Sequence, residues 1–157
     1  VMEAALRTAN DWLNGEPQDA LDFSEVRGIS GVKEATYKVG ELELHVAAVS
    51  GLENAKHLLD KIRTGTVSYD FVEFMACPGG CVNGGGQPQQ KAKVRMTNDI
   101  RAERAMTLYQ LDKKDSIRKS HENPEIIELY DSFLGKPGSE KAHEYLHTKY
   151  QVKGVQK

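Results

Sequence analysis

Cysteine is scarce in this chain: there are two in 157 residues. Two thiols are too few for a disulfide scaffold. Long apolar runs are missing as well, and nothing approaches the ~18–20 residues that span a membrane. No secretory signal pattern is present, so the chain is expected in the cytoplasm. An excess of positive charge is also lacking. Lys and Arg number 21 against 23 Asp and Glu, a net charge of −2, which argues against a dedicated nucleic-acid binder. With 39% hydrophobic and 28% charged residues, what remains is the composition of one soluble globular domain.

One absence is local. Residues 74 to 90, FMACPGGCVNGGGQPQQ, contain no Asp, Glu, Lys or Arg, and they hold both cysteines and five of the 14 glycines. So long a neutral window in a charged chain requires a physical cause.

Around that window the chain reads as α/β. VMEAALRTANDWLNG has helical spacing, with Val1, Ala5, Leu6, Ala9, Trp12 and Leu13 on one face and Gly15 and Pro17 as stops. Trp12 is expected in the core. No Ser, Thr, Asp or Asn precedes the first turn as a cap, so upstream sequence is expected to be missing or to lie in another chain, the alternative being a frayed or processed terminus. Residues 15 to 31 read as connecting loop. Glu34–Val39 and Glu41–Val49 alternate with period two around Gly40, a hairpin whose second strand becomes continuously apolar and is expected to run deeper into the core. Gly51–Arg63 carries the stripe Leu52, Ala55, Leu58, Leu59 and Ile62, which predicts a helix. Tyr69–Met75 then reads as a short strand running into the neutral window. A strand–helix–strand unit ending in a glycine-rich loop is a usual ligand position. From Ile100 onward the pattern is helical: Asn123-Pro124 opens a helix that closes at Gly135, and Ser139 caps a last helix over 139–151.

Cys77 and Cys81 flank Pro78, Gly79 and Gly80. Thiolates select iron–sulfur clusters, zinc or copper(I). Glycines let backbone approach closely, take positive φ, and aim N–H groups at an anionic cluster. The exclusion of charge keeps such a site dry. A thioredoxin-type motif has two intervening residues rather than three. A zinc site needs four ligands, and a phosphate loop needs a lysine beside its glycines, whereas none follows these before Lys91. Spacing and composition leave open a metal cluster and a glycine-rich turn holding two unrelated thiols. A cubane takes four cysteines, so a cubane here would draw its other ligands from elsewhere.

The longer segment EFMACPGGCVNGGGQP, Glu73 to Pro88, resembles the third active-site signature of the [FeFe] hydrogenases. VMEAALRTA resembles a helix that follows a glycine turn in those enzymes. KSHENP (119 to 124) and FLGKPGSEKAHEYLHTKY (133 to 150) resemble their small-subunit region. The resemblance implies an α/β lobe of the H-cluster domain over 1–97 and a helical, small-subunit-like region over 98–157. It implies the H-cluster as cofactor: a [4Fe-4S] cubane joined through a cysteine sulfur to a two-iron unit with CO, cyanide and a dithiolate amine. By the same resemblance Cys77 ligates the cubane, Cys81 ligates it and bridges to the two-iron unit, and Met75 packs near that unit. Gly84 to Gly86 shape backbone around it. The implied reaction interconverts protons, electrons and H₂. The implied partners are the remainder of the catalytic subunit and ferredoxin or other electron-transfer subunits, with a link to pyridine nucleotide. The family's two earlier signatures and its proton-relay cysteine are absent, so this chain alone is expected to be inactive. The cytosolic iron–sulfur assembly relatives of the hydrogenases carry a similar motif, bind a cubane without H₂ chemistry, and are the alternative.

His143-Glu144-Tyr145-Leu146-His147 matches the H-E-x-x-H zinc pattern, with both histidines on one helix face. No plausible third ligand follows, so the motif reads as a surface pair rather than a catalytic zinc site. His45, His57 and His121 read as structural.

Overall fold

The computed structural model describes residues 1–82 and 84–151. Asn83 of the glycine-rich motif and residues 152–157 of the 98–157 region lie outside the described residues. The chain forms two compact units, Val1–Arg118 and Lys119–Lys157.

The first unit is built on a three-stranded sheet. β1 (Val32–Val39) and β2 (Leu42–Ser50) form the expected hairpin, paired from Val32–Val49 to Val39–Leu42, with Gly40 at φ 60 in the two-residue turn. The helix α2 (Leu52–Arg63) then carries the chain to β3 (Phe71–Met75), which pairs with β2 in parallel. Parallel neighbours need such a crossover. The resulting order is β1-β2-β3, so β2 is central.

Its burial follows its sequence. Val46, Ala47, Ala48, Val49 and Ser50 are each at most 2% exposed. A strand covered on both faces has no polar side to present, which is why His45–Val49 loses its alternation. On one face Val46 and Ala48 pack with Met2 and Leu6 of α1 (Met2–Asn14) and with Phe23 and Val26. On the other, Ala47 and Val49 pack with Leu58 of α2. The polar loop 15–31 is therefore more than a connection: its 3₁₀ turn Ser24–Val26 supplies part of the core.

The inward face of α1 differs from the expected stripe. Met2, Leu6, Arg7, Asn10 and Asp11 are buried, while Trp12 is 59% exposed and Leu13 50%. Trp12 is thus not a core residue. The helix is turned to bring Arg7 inward. Its guanidinium is 5% exposed and makes a bidentate pair with Asp112, at 2.7 and 2.9 Å, while donating to the carbonyls of Leu21 and Arg118. A buried charge that is paired and fully hydrogen-bonded outweighs the burial of a half-accommodated indole in setting the rotation.

Two further helices belong to this unit: α3 (Ala92–Thr97), which the sequence pattern did not predict, and α4 (Ile100–Lys114). Asp99 caps α4 by accepting the Arg101 and Ala102 N–H groups. Arg118 and Arg27 extend the Arg7–Asp112 network to Asp22 and Glu3.

In the second unit, α5 (Pro124–Leu129) starts at Pro124 with Asn123 as its cap, as expected. It widens into a π turn over Tyr130–Leu134 before Gly135, whose N–H reaches the Tyr130 carbonyl. The last helix, α6 (Glu140–Leu146), is capped by Ser139 but ends at His147, short of the expected residue 151. Among the described residues beyond Leu146 none is buried, and Tyr150 is 94% exposed, so burial of an apolar face does not extend the helix there. Among the described residues no helix is long and apolar enough to cross a membrane.

Candidate metal centre

Because β2 and β3 run in parallel, their C-terminal ends lie side by side, with Ser50 opposite Met75. The Cys77–Cys81 loop leaves from this edge, where ligands bind in parallel sheets. Three hydrogen bonds fix its course. The Gly51 N–H donates to the Met75 carbonyl at 2.9 Å, the Gly80 N–H to the Cys77 carbonyl at 3.0 Å, and the Gly79 N–H to Ser50 Oγ at 3.2 Å. Ser50 is fully buried, and its own N–H reaches the Gly31 carbonyl at 2.8 Å. Asn54 Nδ2 donates to the Ser50 carbonyl. The loop is thus tied to the most buried point of the sheet.

Gly79 and Gly80 are glycines for two reasons. Their φ values are 83 and 91, in the left-handed region. A Cβ on Gly80 would also stand 3.3 Å from Met75 Sδ, and one on Gly79 would stand 3.2 Å from Arg101 Cδ. Both are buried. Gly84, Gly85 and Gly86 differ: a Cβ on any of them meets nothing within 4 Å, and none has positive φ. Among the described residues nothing accounts for their lack of side chains.

Met75, Gly79, Gly80 and Cys81 share a cleft of about 150 Å³ with Glu73, Lys33 and Tyr109. Cys77 does not line it; its thiol is half-buried, while Cys81 is exposed. Both cysteines are unpaired thiols. Lys33 donates to the Gly28 carbonyl at 2.8 Å, and burial holds its amine below the usual lysine range, with Glu73 opposing that shift. Glu73 Oε2 accepts the Met2 N–H at 2.9 Å, so the first turn of α1 is capped from β3 rather than from its own preceding residue. On the other side of the glycine run, Arg95, Arg101 and Arg104 line an open pocket of about 610 Å³ with Gly84, Gly85 and Asp99.

Sequence reasoning located the two thiols, Met75 and the glycines. It missed Ser50, Glu73 and Arg101. Ser50-Gly51 at the end of a buried strand was a signal for the first. Glu73 and Arg101 act across 71 and 22 residues of chain respectively, and no local pattern announces them.

The family described as iron only hydrogenase large subunit, C-terminal domain, matches residues 1–85, and the iron hydrogenase small subunit family matches 98–153. The chain belongs to the iron-only hydrogenase family. The NADP-reducing hydrogenase subunit HndD of Solidesulfovibrio fructosivorans is 49% identical, covering 96% of this chain and 25% of that protein. Iron hydrogenase 1 of Clostridium pasteurianum is 42% identical over 96% of this chain and 26% of its own length. The cytosolic Fe-S cluster assembly factor narfl of Danio rerio is 33% identical, over 89% and 33%. An apo variant of the [FeFe]-hydrogenase HydA1 from Chlamydomonas reinhardtii has the same fold over 98% of this chain and 44% of that one, with a TM-score of 0.73 at 42% identity. The chain therefore spans about a quarter to a third of these curated relatives.

Proposed function

We propose that Cys77 and Cys81 supply two of the four cysteine ligands of the cubane of an H-cluster, with Cys81 also bridging to the two-iron unit and Met75 packing beside it. The observation that carries this reading is the Ser50-anchored loop. It presents two free thiols across two left-handed glycines, at the carboxyl ends of parallel strands. Thiolate sulfur with neutral, glycine-rich backbone is a donor set suited to an anionic iron–sulfur group. The H-cluster, when bound, supplies the redox chemistry that interconverts protons and electrons with H₂.

This chain's own residues hold two corners of that group and shield it. Ser50 fixes the turn between the two ligands. Gly79 and Gly80 let Arg101 and Met75 close in on the loop. The open space over Gly84–Gly86 leaves room for the remainder of the catalytic subunit, which brings the other two cysteines and the proton-relay cysteine. That remainder also covers β3, whose Phe71 and Phe74 are 40% and 45% exposed on a parallel strand of the kind normally buried on both faces. The arginine-lined pocket suits an acidic electron carrier of the ferredoxin class, or an electron-transfer subunit linked to NADP, approaching near the cluster loop. We assign 1–97 to the cluster lobe and 98–157 to the small-subunit-like region, and place the protein in the cytoplasm. Without its other ligands the chain alone does not turn over.

The test is infrared spectroscopy of the complete, anaerobically matured protein. CO and cyanide bands that disappear in Cys81→Ser, together with loss of the cubane signal in Cys77→Ser, support the reading. The relationship to narfl sustains a second reading, in which the whole protein binds a cubane for cluster assembly. A cubane without CO and cyanide bands in matured material selects it.

A further inference from the structure

The segment 74–90 holds no charged side chain, so any charge beside its two thiols is brought from outside it. In the cleft that Cys81 lines, the charges are matched. Lys33 and Glu73 act on each other as counter-charges, and Glu3 is paired with Arg27 at 2.7 Å. Arg101 is placed differently. It reaches the loop from the first turn of α4, and a Cβ on Gly79 would stand 3.2 Å from its Cδ, 3.6 Å from its Nη1 and 3.7 Å from its Nε. Gly79 is midway between Cys77 and Cys81, so a guanidinium lies against the centre of the loop. That group stays charged and carries five N–H donors. Among the described residues its one polar partner is the Asp99 carboxylate at 3.9 Å, too long for a hydrogen bond. Arg104, in contrast, donates to the Pro88 carbonyl at 2.6 Å. Arg101 is thus a cation with open donors beside two free thiols.

We propose that the Arg101 guanidinium tunes the reduction potential of the cluster held by Cys77 and Cys81, favouring its reduced form. The proposal rests on the reading that these two thiols ligate a cubane. A thiolate-held cubane is an anion, and reducing it adds one electron from an external reductant with no bond formed or broken at Arg101. A fixed cation close by stabilises the added charge. Net charge and hydrogen bonding around the sulfurs are what set such potentials, and groups that do not themselves bind the metal supply both. Asp99 opposes the effect as the counter-charge of Arg101. The approach depends on Gly79, whose missing Cβ and φ of 83 leave room for the guanidinium. If Arg101 served only to pack on Gly79, its charge would not matter to the cluster.

The test is a redox titration of the complete protein with dithionite, followed by EPR, before the two-iron unit is inserted. The signal to follow is the cubane signal that Cys77→Ser abolishes. At a fixed potential Arg101→Gln is expected to raise the oxidised-to-reduced ratio of that cubane by about threefold or more, the size expected of one charge in a partly screened site. Arg101→Lys keeps the charge and should restore most of the native ratio. Asp99→Asn keeps a capping oxygen for α4 but removes the counter-charge, so its ratio should fall. Opposite signs in Arg101→Gln and Asp99→Asn identify charge as the cause, which a packing role would not produce. The side chains of Arg101 and Asp99 are 43% and 48% exposed, so the variants are expected to fold, and circular dichroism verifies this. A native ratio in Arg101→Gln, a ratio in Arg101→Lys as high as in Arg101→Gln, or a rise in Asp99→Asn overturns the proposal alone. A native protein with no cubane signal that depends on Cys77 overturns the underlying reading and this proposal with it.

Discussion

Ser50 Oγ accepts the Gly79 N–H at 3.2 Å, joining the end of the central strand to the midpoint between the two cysteines. The residue is fully buried, so the pair lies out of reach of water. Ser50→Ala leaves a buried N–H without a partner, a loss of about 1–3 kcal/mol. The expected outcome is a lower thermal midpoint and faster hydrogen exchange at the Gly79 amide, with the sheet amides of β1 unchanged. Unchanged exchange at Gly79 would show that the loop holds its shape without Ser50.

The two sets of glycines should respond differently to a methyl group. At Gly80 an alanine meets both a left-handed φ of 91 and the Met75 sulfur at 3.3 Å. The backbone strain alone is about 1–2 kcal/mol. Gly84→Ala enters open space at negative φ and should stay within about 0.5 kcal/mol in the isolated chain. Chemical denaturation of both variants makes the comparison. If Gly84→Ala also blocks cluster loading in the complete protein, its glycine serves the partner surface and not this chain's fold.

Local chemistry made most of this fold legible. Period-two alternation gave the hairpin, the apolar run His45–Val49 gave the buried centre, and the Asn123-Pro124 pair gave the start of α5. The cysteine spacing gave the loop. What escaped was set by long-range pairing. The rotation of α1 depends on Arg7 meeting Asp112, 105 residues away, and its cap depends on Glu73. A hydrophobic stripe cannot report that a buried arginine outranks a tryptophan. The early end of α6 likewise depends on which neighbours the helix lacks, which spacing does not encode.

Replacing Leu6 and Trp12 separately tests that rotation. Leu6 is 3% exposed and packs into the core of the sheet, so Leu6→Ala should cost about 2–4 kcal/mol. Trp12 is 59% exposed, and Trp12→Ala should cost under about 1 kcal/mol in the isolated chain. Equal costs would restore tryptophan to the core and refute the observed face of α1.

Acid should release the ionic network before the sheet melts. The Arg7 hydrogen bonds, aided by Arg118, pull the Asp112 carboxyl down from its usual range to about 2, against the upward push of burial. A carboxylate whose folded pKa is depressed stabilises the fold fully above its unfolded value near 4, and loses that contribution as pH falls toward 2. After allowance for its partial exposure, the contribution is roughly 1–2 kcal/mol. Denaturant midpoints measured from pH 5 to pH 2 should therefore fall more steeply for the native chain than for Asp112→Asn, which is destabilised already at pH 5 and lacks this titration. Parallel curves would mean that Asp112 titrates alike in folded and unfolded chains. The Arg7 pair would then not be what holds α1 to α4.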